Sequence, residues 1–117
     1  MKDWTDIRVR YLQDEIPVRL GGLAANLLRI KSFSKHASSQ TAVESLLEES
    51  KHFIEWTAGD LGISKAAELV ELQVQLALWQ LTLPRIWSVQ ENRSEIAAEV
   101  GGWSQRVLEF SGLLVER

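Results

Sequence analysis

Hydrophobic residues recur along most of the chain at alternating spacings of three and four, the repeat of one face of an α-helix. The first such segment runs from about residue 15 to 34 and carries Ile16, Leu20, Leu23, Leu27 and Ile30. Pro17 fits near its start, because the first-turn N–H groups of a helix have no intrahelical partner. Residues 3–12 predict either a separate short helix or an extension of this one.

A second helix is predicted from about residue 42 to 58. Thr41 and Glu44 have the spacing of a capping box, in which each side chain bonds an unpaired backbone N–H at the helix start. Gly59 and Gly62 are expected to end the helix, since glycine accepts the left-handed conformation found at helix C-termini.

A third helix is predicted from about residue 64 to 83, with Ser64 as its N-cap. Pro84 is expected to end or kink it, because proline lacks the N–H that a helix interior needs. The helix has two apolar stripes, one of Leu69, Leu72, Leu76, Trp79 and Leu83, the other of Val70, Val74, Ala77 and Leu81. So wide an apolar arc predicts a helix that is contacted on several sides.

A fourth helix is predicted from about residue 90 to 114, with a capping box at either Ser88 and Glu91 or Asn92 and Glu95. Its apolar seam consists of Ile96, Val100, Trp103, Val107, Phe110 and Leu114. Paired glycines occur at positions 21–22 and 101–102, inside the first and fourth helices. Because a helix-interior glycine costs about 1 kcal/mol relative to alanine, these pairs predict close packing of the two helices.

These four helices and their short connections predict an all-α fold, an antiparallel four-helix up-and-down bundle with a short extra N-terminal helix or helix extension. A chain of 117 residues is typical of a single domain, so residues 1–117 are expected to form one.

The composition excludes several classes of function. The chain has no cysteine and a net charge of −3, which exclude disulfides and thiolate chemistry and argue against nucleic-acid binding. Residues 1–36 carry seven basic and four acidic side chains, whereas residues 37–117 carry six and twelve. No apolar run is long enough for a membrane span, and the first residues do not resemble a signal peptide. A cytoplasmic protein without membrane contact is expected.

Catalytic groups are few, and His36 and His52 are the only histidines. Glu49 and His52 have the Glu-x-x-His spacing that di-iron bundle proteins use, but such a site needs the motif on two helices and only one copy exists. At 100° per residue His52 falls on the face opposite Val43, which predicts a solvent-exposed side chain. We therefore expect no metal, no cofactor and no small-molecule substrate.

Residues 52–63 read His-Phe-Ile-Glu-Trp-Thr-Ala-Gly-Asp-Leu-Gly-Ile. The segment resembles the signature of histidine phosphotransfer domains at His52, Ile54, Thr57, Ala58, Leu61 and Gly62. The resemblance implies a helical-bundle signalling domain in which His52 accepts a phosphoryl group from a response-regulator aspartate. Glu55 and Trp56 stand where the family has lysine and glycine.

Five tryptophans supply the remaining candidates. Trp79 and Trp103 lie on predicted core seams, whereas Trp4, Trp56 and Trp87 lie off them or at element ends. Since tryptophan is enriched at interfaces, the main functional prediction is a non-enzymatic protein that acts by binding a protein partner or as a homodimer. The predicted contact residues are Trp56, Val70, Val74, Leu81 and Trp87. The alternative is the phosphotransfer function of His52.

Overall fold

The computed structural model describes residues 3–113, and within this range all regular structure is helical. The α-helices are α1 (Thr5–Leu12), α2 (Ile16–Phe33), α3 (Gln40–Ala58), α4 (Ile63–Ile86) and α5 (Gln90–Ser111), with a 3₁₀ turn (Ala37–Ser39) before α3. The all-α prediction is confirmed. The N-terminal segment forms a separate helix, and Leu114 of the predicted seam lies outside the described residues.

The helix ends differ from the predicted ones. Helix α3 begins at Gln40, with Ser39 as its N-cap, so Thr41 lies inside the first turn and caps nothing. Helix α4 begins after Gly62, which places Ser64 inside the helix as well. At Gly59 the backbone is right-handed, with φ −66°, so the helix ends there without the left-handed turn expected of glycine.

Pro84 neither ends nor breaks α4. It is exposed, and the helix continues to Ile86 because the N–H of Trp87 again bonds to the carbonyl of Leu83 at 2.9 Å. Helix α5 follows with Val89 as its N-cap, so neither predicted capping box is formed. A left-handed glycine does occur at the end of α5, where Gly112 has φ 88°.

Neighbouring long helices run antiparallel. Between α2 and α3, Arg19 near the start of one pairs with Asp60 just beyond the end of the other at 2.9 Å. Helices α2 and α5 make the most extensive contact, α3 packs on both α2 and α4, and α4 contacts α5 only to a limited extent. Inward-facing residues of all the helices share one core, which includes Leu20, Leu27, Ile30, Leu47, Ile54, Leu72, Leu76, Val100 and Val107.

Helices α2 and α5 approach closely, as the glycine pairs predicted. The Ser104 hydroxyl donates a hydrogen bond to the backbone carbonyl of Ala24 at 2.9 Å. Gly101 lies beneath the side chain of Lys31, which would be 3.3 Å from an added Cβ atom. An added Cβ atom at Gly102 would meet no atom of the described residues within 4 Å, so packing among them does not explain that glycine.

A buried arginine joins the α2–α3 connection to the α4–α5 connection. Arg93 donates through Nε to the carbonyl of Ser34 at 3.2 Å and through Nη1 to the carbonyl of Trp87 at 2.6 Å. Its guanidinium carbon lies 5.8 Å from the centre of the Trp87 ring. Trp87 in turn donates through Nε1 to the carbonyl of Ala37 at 2.7 Å.

Candidate functional site

His52 lies on α3 beneath the N-terminal segment instead of facing open solvent. Its side chain is 24% exposed, which corrects the prediction of a solvent-exposed histidine. The Trp4 ring lies 4.2 Å from the imidazole, centre to centre, and the Trp56 ring 5.4 Å from it. The helical angle of His52 indicated a face away from the core, but it could not show that Trp4 covers that face.

Carboxylates approach both nitrogens of the imidazole. Nε2 lies 3.1 Å from Glu48 Oε1, and Nδ1 lies 3.8 Å from Glu55 Oε2. Glu48 also accepts a hydrogen bond from Gln80 of α4 at 2.6 Å, and Gln80 accepts one from Lys51 at 2.6 Å. The bond from Gln80 lowers the pKa of Glu48, and Lys51 and His52 lower it further. The cluster therefore links α3 to α4 through a negatively charged Glu48.

Phosphotransfer at His52 stays a prediction. A phosphoryl acceptor needs an accessible ring nitrogen, and the added phosphoryl group carries a charge of about −1.5 to −2. Glu48 and Glu55 would repel that charge, and Trp4 covers one side of the ring. Incubation with a phosphorylated receiver domain tests the function, with His52→Gln as the control. Transfer of label to the wild type alone supports it, and an unlabelled wild type contradicts it.

Two of the predicted contact residues pack within the chain. Trp56 is half-buried and lies 5.8 Å from Tyr11 and 6.1 Å from Phe53, ring centre to centre. Trp87 is 2% exposed, and its indole N–H donates a hydrogen bond to the carbonyl of Ala37, so its side chain packs inside the chain. Trp87 follows Leu83 by four residues and continues the buried stripe of α4, a signal that is visible once Pro84 is placed inside the helix.

The other three predicted contact residues lie on the outer surface of α4. Val70, Val74 and Leu81 are 48%, 56% and 74% exposed. They belong to a longer line of apolar residues that point away from the core at spacings of four, three, four, three and four. This line, the α4 outer seam, consists of Ile63, Ala67, Val70, Val74, Ala77 and Leu81. Ile63 is 90% exposed, and the sequence prediction missed it together with Ala67, although both continue the same spacing.

The α4 outer seam lies opposite the buried stripe of the same helix. Leu69, Leu72, Leu76, Trp79 and Leu83 are all buried, as the sequence predicted. On one flank of α4, Gln73 and Gln80 bond to residues of α3. On the other, Glu68 pairs with Arg106 of α5. Helices α3 and α5 therefore contact the two flanks of α4, and the outer seam is left to solvent.

A second open region lies between α4 and α5. The groove has a volume of about 510 Å³ and is lined by Glu71, Gln75, Glu99, Gly102, Trp103 and Arg106. Trp103, predicted as a core residue, is only half-buried and forms one wall of this groove. The limited contact between the two helices leaves that side of the indole uncovered.

Within residues 3–113, no group of three or more His, Cys, Asp or Glu side chains is arranged to hold a metal ion. None of the helices formed by these residues combines the length and the apolar character that a membrane span requires. Comparison of the chain with protein-family models, curated proteins and solved structures gives no match.

Proposed function

We propose that this protein acts by binding another protein chain through the α4 outer seam. The observation that supports the proposal is a line of apolar side chains exposed along almost the whole of α4. From Ile63 to Leu81 the line spans about 27 Å, at a rise of about 1.5 Å per residue. Scattered exposed apolar residues are normal on a protein surface, but a continuous patch marks an interaction site.

The spacing of the seam indicates the kind of contact. Apolar residues that alternate at spacings of three and four form the seam by which one helix packs against another. Val70 and Val74 at its centre are β-branched and have few side-chain conformations, so little rotamer entropy is lost when they are buried. A helix is therefore the expected contact element of the partner.

Site-specific photo-crosslinking tests the proposal. A photoreactive residue at Leu81 is expected to form covalent adducts with a partner chain in the cells that produce the protein. The same residue at Ala98, which is exposed on the outer face of α5, serves as the matched control. Adducts from position 81 that are absent from position 98 support the proposal, and equal or absent crosslinking at both positions contradicts it.

The antiparallel contacts of α2 with α3 and α5 support a further structural proposal, that the four long helices form an up-and-down bundle to which α1 is added.

The lack of cysteine supports the proposal of a cytoplasmic location, because disulfides do not persist in the reducing cytosol and a protein there is stable without them.

A further inference from the structure

We infer that the partner at the α4 outer seam is a second copy of this chain, bound antiparallel about a two-fold axis between Val70 and Val74. The inference rests on the proposed function and names its partner. The order of side-chain sizes along the seam supports this inference. From one end to the other they run large, small, medium, medium, small, large, in the order Ile63, Ala67, Val70, Val74, Ala77, Leu81. The order is the same in both directions.

A two-fold axis brings one surface patch against itself in the reverse direction. Because the spacings of the seam also read the same in both directions, each of its six residues then lies level with an apolar residue of the second copy. With the axis at the seam centre, Ile63 lies opposite the partner's Leu81, Ala67 opposite the partner's Ala77, and Val70 opposite the partner's Val74. These are the cross-layers of an antiparallel helix pair. The alanine layers alternate with layers of larger residues, and the largest side chains cover both ends of the seam.

The exposed area is sufficient for a stable contact. The four larger residues of the seam, Ile63, Val70, Val74 and Leu81, are between 48% and 90% exposed. Together with the two alanines they present about 600 Å² per copy, or about 1,200 Å² for the pair, which is the lower end of the range for specific interfaces. We therefore expect a reversible dimer instead of an obligate one.

Charges beside the seam are sparse, as in the buried centres of protein interfaces. Gln73 and Gln80 on the flank toward α3 are neutral. On the flank toward α5, Glu71 follows Val70 directly, so it lies nearly level with the seam centre and would meet the partner's Glu71 near the axis. Because like charges at this separation repel weakly, Glu71→Gln is expected to tighten the dimer about two-fold.

Disulfide trapping tests the register, and the lack of native cysteine makes it specific. We expect Ile63→Cys mixed with Leu81→Cys to give a disulfide-linked heterodimer under mild oxidation. Either variant alone is expected to give little disulfide-linked product. A parallel pair would instead link Ile63→Cys to itself. Ser64→Cys with Thr82→Cys is the matched control, since both positions lie one residue off the seam, and its trapping yield is expected to be several-fold lower.

Solution mass separates this inference from the proposed function. We expect a mass approaching twice 13.3 kDa at high concentration. Val74→Glu is expected to restore the monomer, and Ala98→Glu to leave the dimer unchanged. A strict monomer at millimolar concentration, or self-linkage of Ile63→Cys, overturns the antiparallel dimer. If photo-crosslinking at Leu81 then yields only adducts with a different chain, the proposed function stands and the second copy is excluded.

Discussion

Replacing Arg93 by methionine tests whether this buried arginine joins the two connections at one end of the helices. Methionine keeps the length and much of the volume of the side chain, but it removes the donors to the carbonyls of Ser34 and Trp87. It also removes the cation beside the Trp87 ring. The two carbonyls then lose a charged donor inside the protein.

The expected cost is the balance of opposing terms. Hydrogen bonds from a charged donor contribute about 1.5–3 kcal/mol each, so two of them contribute about 3–6 kcal/mol. Arg93 is a buried cation that has no carboxylate partner among the described residues. Its removal therefore relieves the folded state of part of the free energy that desolvation of the charge costs. We expect Arg93→Met to lower the free energy of unfolding by about 2–4 kcal/mol, out of about 5–15 kcal/mol for a typical domain.

Urea titration followed by circular dichroism at 222 nm measures the change, with an unchanged m value as evidence that the same unfolding transition is observed. Arg85→Met is the control, because Arg85 is exposed on the last turn of α4, and its effect is expected within about 0.5 kcal/mol. Arg93→Lys keeps the charge but not the forked geometry, so an intermediate loss is expected. A loss below about 1 kcal/mol for Arg93→Met would refute the bridging role.

Three further predictions concern single side chains. Ser50→Ala is expected to stabilise the protein by about 1 kcal/mol in the same titration, because the buried Ser50 hydroxyl has no hydrogen-bond partner among residues 3–113. The matched Ser104→Ala is expected to destabilise it by about as much, since it loses the bond to Ala24. Gly22→Ala is expected to raise the free energy of unfolding by about 1 kcal/mol, because the added Cβ atom would lie 3.8 Å from the Tyr11 ring, an ordinary contact; a lower stability would contradict this. Burial raises the pKa of Tyr11 to about 12, so the folded state prefers the neutral phenol. The stabilisation from this preference is fully present below pH 10, and the free energy of unfolding falls by about 2–3 kcal/mol as the pH rises from 10 to 12. Tyr11→Phe is expected to show a smaller loss of stability between pH 9 and pH 11.5, and an equal loss would contradict the assignment.

Hydrophobic spacing predicted the helices well because burial dominates helix formation in a folded chain. The 3.6-residue repeat separates the two apolar stripes of α4, but it does not show that the stripe with Val70, Val74 and Leu81 stays exposed while the other is buried. Helix ends were predicted less well. The 3₁₀ turn leads the chain into α3 before Thr41, and an extended Gly62 leads it into α4 before Ser64, so both hydroxyls lie inside helices.

Tertiary contacts explain why the surroundings of two candidate site residues could not be predicted from the sequence. Trp87 is fixed by a carbonyl 50 positions away in the sequence, and its burial also depends on helix continuing through Pro84. His52 is covered by Trp4, which lies far away in the sequence at the start of α1. Periodicity gives the face on which a side chain lies, but not the distant segment that packs against that face.

The contact between α2 and α5 has a consequence for how the chain folds. Its central hydrogen bond joins residues 80 positions apart, from Ser104 to Ala24. Contacts between such distant positions form slowly, because a long loop must close before they contribute. During synthesis α2 leaves the ribosome well before α5. The part of its apolar surface that packs against α5 therefore stays exposed while α3 and α4 are made. We therefore expect chains that stall before α5 to be strong chaperone substrates, with folding completed only after the last helix emerges.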